Sequence, residues 1–119
     1  MNTFELSEGL QEFRGTDSWY RHTIGFGLIY TDGVKFFAES AGGGAYWLLD
    51  TVGIYVFPLL RDHGFISVTV DVEAGKATIY ADDGNDNVIW SEKLEYTSLP
   101  DGEWKFFLNH NTLMLPGEY

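Results

Sequence analysis

From Ile66 to Glu73 the chain alternates without a break: Ile66, Val68, Val70 and Val72 are apolar, and Ser67, Thr69, Asp71 and Glu73 are polar. A period of two puts the apolar set on one side of a pleated strand, so the stretch predicts a half-buried β-strand. Ala74-Gly75 supplies a turn, and Ala77, Ile79 and Ala81 continue the pattern in a partner strand. Asp82 to Asn87 reads as a loop, after which Val88, Trp90, Leu94 and Tyr96 are assigned to one face of the next strand. A turn at Pro100-Asp101-Gly102 leads to Trp104, Phe106 and Leu108, and a short strand covers Thr112 to Leu115. Short strands joined by turn signals predict an antiparallel meander of about four to five strands over residues 65–119.

The first half has a different rhythm. Phe4, Leu6, Leu10 and Phe13 follow a possible Asn2 or Thr3 cap, with Glu5 and Glu8 in the first turns, and predict an amphipathic helix ended near Gly15. Trp19 to Ile24 and Phe26 to Tyr30 read as extended. Thr31-Asp32 then opens a capped helix over Gly33 to Glu39, with Val34, Phe37 and Ala41 on one face. The apolar run from Ala45 to Phe57 predicts a second helix, enclosed by the rest of the domain and stopped or bent at Pro58. Helices first and hairpins later imply an α+β fold in a single domain, with the helices of residues 1–62 packed on one face of the meander.

Composition narrows the class. Aromatic residues make up 17 % of the chain, far more than a disordered segment carries. With no cysteine, disulfides, thiolate metal sites and a cysteine nucleophile are excluded. No basic and apolar leader opens the sequence, and the stretch Ala45 to Leu60 is broken by Asp50, Thr51, Gly53 and Pro58. A membrane helix needs about 20 apolar residues, so the expectation is a cytoplasmic protein without a membrane partner. The net charge is −11. From residue 71 onward ten acids stand against Lys76, Lys93 and Lys105. Such a chain repels phosphate backbones, so direct nucleic-acid binding is not expected, and its natural partner is a protein with a basic surface.

Several strings occur together in order: Gly15-Thr16, Trp19-Tyr20-Arg21-His22, Tyr30-Thr31-Asp32-Gly33-Val34-Lys35, Ala45-Tyr46-Trp47-Leu48-Leu49-Asp50, and Leu113-Met114-Leu115-Pro116-Gly117-Glu118-Tyr119. Their combination, from about Phe13 to Tyr119, resembles an uncharacterised domain family of bacterial proteins and of phage and other mobile-element proteins. The resemblance implies a small intracellular domain of possible mobile-element origin (in the host cytoplasm if phage-encoded) and carries no activity.

Gly42-Gly43-Gly44 raises the possibility of a phosphate loop. Such a loop follows a strand, opens a helix and is completed by a Lys. Here the glycines follow a predicted helix, so a helix-ending joint is the favoured reading. In Trp19-Tyr20-Arg21-His22 an extended backbone sends Tyr20 and His22 to one face and Trp19 and Arg21 to the other. A His near Asp17, Asp32 or Glu39 could act as a general base, but a structural aromatic strand with a hydrogen-bonded His is the commoner arrangement. The candidate polar cluster is Tyr20, Arg21, His22, Asp32, Lys35, Glu39 and Asp50, with Arg21 and Lys35 as the expected partners of Asp50.

Asp82-Asp83-Gly84-Asn85-Asp86-Asn87 is oxygen-rich but lacks the ligand spacing of a calcium loop, so a turn is favoured. His22, His63 and His110 are too scattered to suggest zinc. Neither a cofactor, nor a metal, nor a set of catalytic residues is assigned. The remaining candidate is an acidic interaction surface formed by Asp71, Glu73, Asp82, Asp83 and Asp86. The preferred expectation is a small non-enzymatic binding protein, in its sharpest form a phage-type inhibitor that imitates nucleic acid. A small enzyme built on His22 and a homo-oligomeric structural module are the alternatives.

Overall fold

A computed structural model describes residues 1–22 and 27–119; the parts of the expected strands at Thr23, Ile24 and Phe26 lie outside the described residues. In chain order the elements are α1 (Thr3–Leu10), β1 (Trp19–Arg21), β2 (Ile29–Thr31), α2 (Asp32–Ser40) and α3 (Tyr46–Thr51). A π-helical turn (Val52–Val56) and a 3-10 turn (Phe57–Arg61) extend α3. Then come β3 (Ile66–Glu73), β4 (Lys76–Asp82), β5 (Val88–Leu94), β6 (Gly102–Asn109) and β7 (Thr112–Met114). The fold is α+β, and among the described residues its helices pack on one face of a seven-stranded sheet ordered β1-β2-β7-β6-β3-β4-β5.

Each boundary has a local cause. Asn2 caps α1 by accepting from the Glu5 N–H while the Glu5 carboxylate accepts from the Asn2 N–H, a reciprocal capping box. Thr31 caps α2 through Val34 N–H. The α2 helix ends as expected at the glycines. Gly42 lies at φ +57°, and a Cβ there would stand 2.8 Å from the Ser98 backbone oxygen, so only glycine fits. The helical turns after α3 are less enclosed than the apolar run suggests. Ile54 and Tyr55 are exposed, which corrects that expectation, and Pro58 sits inside the 3-10 turn rather than stopping the helix.

The apolar half of the β3 alternation is buried as expected, but the polar half is exposed only at Asp71 and Glu73; Ser67 and Thr69 are buried too, so the strand is half-buried only toward its C-terminal end. Ile66, Val68, Val70 and Val72 are buried beneath the helices, beside Ala77, Ile79 and Ala81 of β4 and Trp104, Phe106 and Leu108 of β6. Phe37 of α2 meets Phe106 edge-on with ring centres 5.0 Å apart, joining helix layer to sheet. Each such side chain contributes about 1.5–3 kcal/mol of burial. The C-terminal strands form the expected antiparallel meander, and β6 returns to lie beside β3. What periodicity did not indicate is that β1 and β2 join the same sheet, with β2 parallel to β7. Tyr96, assigned to the β5 face, lies beyond that strand and is 80 % exposed. Among the described residues no helix is long and apolar enough to cross a membrane.

Candidate functional site

The strings quoted from the first half and from the C-terminus meet in space around the N-terminus of α2. That end presents unpaired N–H groups and a partial positive charge, so carboxylates gather there. Asp32, in the first turn, accepts through Oδ2 from the N–H groups of Asp17 (3.0 Å) and Ser18 (3.3 Å) and through Oδ1 from the Tyr20 hydroxyl (2.9 Å). Its own N–H donates to Thr16 Oγ1 at 2.9 Å. These bonds favour the ionised form, so the Asp32 carboxyl is held below its ordinary range, the Asp17 N–H contributing most. Tyr20 is pushed up, chiefly because its proton is engaged by Asp32.

A second carboxylate, Glu118, was not singled out by the sequence. Its Oε1 accepts from the Thr31 hydroxyl (2.6 Å) and the Leu115 N–H (2.9 Å), and its Oε2 from the Gly33 N–H (3.0 Å). Gly33 is required for this docking, because a Cβ there would stand 2.5 Å from Leu115 Cδ1 and 2.6 Å from Glu118 Oε1. The signal was present in the closing Leu115 to Glu118 string, but an acid near a chain end looks like any solvated acid until the helix terminus is placed beside it.

His22 and Asp50 form the other contact. His22 Nε2 lies 2.7 Å from Asp50 Oδ1, with His22 buried and Asp50 41 % exposed. Asp50 therefore pairs with His22, not with Arg21 or Lys35. Lys35 instead reaches Glu39 one turn along α2, at 3.7 Å, and lies 5.1 Å from the centre of the Tyr20 ring. Arg21 is exposed, and among the described residues no acid stands within ion-pair distance of it. The two contacts are bridged by aromatic rings. Tyr20 stacks on Tyr30 at 5.4 Å, and Tyr30 presents an edge relation to His22 at 6.3 Å and to Tyr46 at 6.5 Å. Burial, then the neighbouring Tyr30 and Glu39, pushes the Tyr46 hydroxyl up.

A histidine oriented by a carboxylate is the arrangement of a general base. Catalysis also needs a concavity for the reacting molecule. Three surface cavities among the described residues, of about 470, 500 and 390 Å³, are lined by residues of other regions, and no member of the polar cluster lines these three. The cluster ties together chain segments; its carboxylates are occupied by the protein's own donors.

The acidic residues of the second half are arranged differently. Asp71 and Glu73 project from the outer face of β3, as the alternation requires, and Asp82 shares that face opposite Ser67. Four strand steps separate Ser67 from Asp71, which is about 13 Å. Between the two groups lie Thr69 and Tyr80, Thr78 stands opposite Asp71, and Phe65, Phe107 and Tyr119 cluster at one end. Lys105 is paired with Thr69 and Lys93 with Thr78, so lysines stand on the same face. The cavity of about 500 Å³ at the other end is lined by Asp71, Glu73 and Glu95 together with Lys76 and Lys93. Asp83 and Asp86 belong to the β4–β5 loop. Asp83 accepts from the N–H groups of Asn85 (2.9 Å) and Asn87 (3.4 Å) and from the Asn87 side chain (3.0 Å), which holds its carboxyl below the ordinary range, the Asn85 bond contributing most. Asp86 adopts φ +65°. These are turn-forming roles.

No curated protein and no solved structure matches the chain. A family model described as a family of unknown function (DUF6876) matches residues 4–119, nearly the whole sequence. Its span takes in all the strings that meet around α2, and by that match the chain belongs to the DUF6876 family.

Proposed function

We propose that this protein is a small, non-enzymatic binding module whose acidic surface engages a protein partner with a basic surface. One observation carries the reading. Of the acids from residue 71 onward, Asp71, Glu73, Glu92 and Glu95 are solvent-exposed on or beside the sheet and Glu103 faces Lys105 at 3.8 Å, whereas Asp32, Asp50 and Glu118 are engaged by the protein's own groups. Idle carboxylates on a rigid sheet attract and orient a cationic partner at little conformational cost. The sharper form, an inhibitor of a host defence or nucleic-acid-binding complex of the phage or mobile-element type, rests on the charge of −11 and on the imitation of a phosphate backbone that such charge allows.

Recovery of partners from a host lysate tests it. A basic nucleic-acid-handling protein should be captured at low salt and released between about 50 and 300 mM salt, where screening shortens to under 10 Å. The double substitution Asp71→Lys and Glu73→Lys should weaken that capture. Contacts that are indifferent to salt, or self-association alone, would overturn the reading.

A further inference from the structure

The sheet ends at β5, and β5 is open. Ala74 and Gly75 both have positive φ, +52° and +78°, so they form a two-residue hairpin loop in which Glu73 and Lys76 exchange backbone bonds. Alternation from that pair assigns Lys76, Thr78 and Tyr80 to bonding with β3, and Ala77, Ile79 and Ala81 to bonding with β5. On β5 the bonded partners are then Leu94, Glu92 and Trp90. Ser91 and Lys93 therefore direct their N–H and C=O groups away from the sheet, toward a side where no described strand lies. A register shift beside Asp82 bounds this free edge near Ile89.

The side chains flanking the edge say what fits it. On the helix side of the sheet, β5 presents Trp90, Glu92 and Leu94 in a row. Trp90 is stacked by Tyr55, with ring centres 5.8 Å apart and planes 12° apart, on the π-helical turn that also exposes Ile54. The row thus reads apolar, anionic, apolar. A second copy of this chain does not complement it. Two-fold pairing centred on Glu92 opposes the two Glu92 carboxylates, and pairing centred on Lys93 opposes two ammonium groups. Pairing centred on Ser91 sets Glu92 against Trp90. Each copy also carries −11.

We infer that the β5 edge docks an extended segment of a partner protein as an added antiparallel strand, with a Lys or Arg opposite Glu92 and apolar residues opposite Trp90 and Leu94. The inference rests on the protein-binding reading above and locates its contact. Residues of the segment opposite Ser91 and Lys93 exchange four backbone hydrogen bonds with them, and the alternate side chains give specificity.

The test uses the whole protein and synthetic peptides of the form Ser-Val-Thr-Lys-Thr-Val-Ser. In NMR titrations this peptide should shift amides of β5 and of residues 54–55, and it should protect the Ser91 and Lys93 amides from hydrogen exchange. Replacing the central Lys by Glu should weaken binding at least tenfold, and N-methylation of the two Thr residues should remove the protection. In the protein, Ser91→Pro should abolish peptide binding without loss of stability, because that N–H bonds nothing within the sheet. Equal binding of the Lys and Glu peptides, shifts confined to another surface, or β5-dependent dimerisation abolished by Ser91→Pro would each overturn the inference. If Ser91→Pro leaves salt-sensitive partner capture intact, the edge assignment falls and the binding-module reading stands. If wild-type protein captures no basic partner, that broader reading falls instead.

Discussion

Two sets of carboxylates in this molecule differ in what they touch. Around the N-terminus of α2, Asp32 and Glu118 each accept three hydrogen bonds from the protein. Along β3 and β5, Asp71, Glu73 and Glu92 are exposed and take no side-chain role in holding the chain. The first set is structural, since it joins the 16–18 loop, α2 and the C-terminal turn (Pro116–Glu118) at one helix end. The second set is free for an external cation. A single net charge of −11 therefore conceals two kinds of acid, one bonded within the fold and one exposed.

The comparison breaks first at Glu118. Removing its carboxylate by Glu118→Ala leaves the buried Thr31 hydroxyl and the Gly33 and Leu115 N–H groups without an acceptor, and should cost about 3 kcal/mol in denaturant unfolding. A loss under 1 kcal/mol would place Glu118 among the idle acids. Next is the His22–Asp50 contact: with Asp50 partly exposed, a double-mutant cycle of His22→Ala and Asp50→Ala should return a coupling of about 1 kcal/mol. Zero coupling would make the 2.7 Å contact incidental.

The pH dependence sharpens the contrast. The Asp32 carboxyl is lowered by folding, so its stabilisation is complete above the ordinary carboxylate range and is lost as pH falls through the lowered value. Asp32→Asn should therefore flatten the acid limb of stability below about pH 4, measured by urea unfolding from pH 7 to pH 2. An unchanged acid limb would detach Asp32 from that network. The smallest effect is expected on the outer face. Asp71→Lys with Glu73→Lys should change stability by no more than about 0.5 kcal/mol while altering partner capture. A large loss of stability there would show that these acids also hold the fold.

The order of elements, the inner face of β3, β4 and β6, the Asn2 and Thr31 caps and the glycine joint were legible because each depends on residues within a few positions of one another. Periodicity states which side of a strand is buried, and a Ser, Thr or Asn ahead of an apolar run states where a helix starts. The polar cluster was legible only as a membership. Its residues were named, yet Asp50 was matched to cations, whereas the structure gives it His22. Charge alone suggests Arg or Lys for a lone acid, and it cannot tell that β1 carries His22, the residue after it, to the C-terminal end of α3, 28 residues away.

What the sequence by itself determined is local: an α+β domain, one greasy and one polar side to its central strand, and an excess of acid. Tertiary structure decided the pairings between distant segments, which depend on strand order and not on spacing. It placed the parallel β2–β7 contact, brought Glu118 to Gly33 across 85 residues, and left β5 as an edge beside the Tyr55–Trp90 stack. Which acids are spent on the fold and which remain free follows from those pairings. A carboxylate is committed only when donors far away in the chain are carried to it.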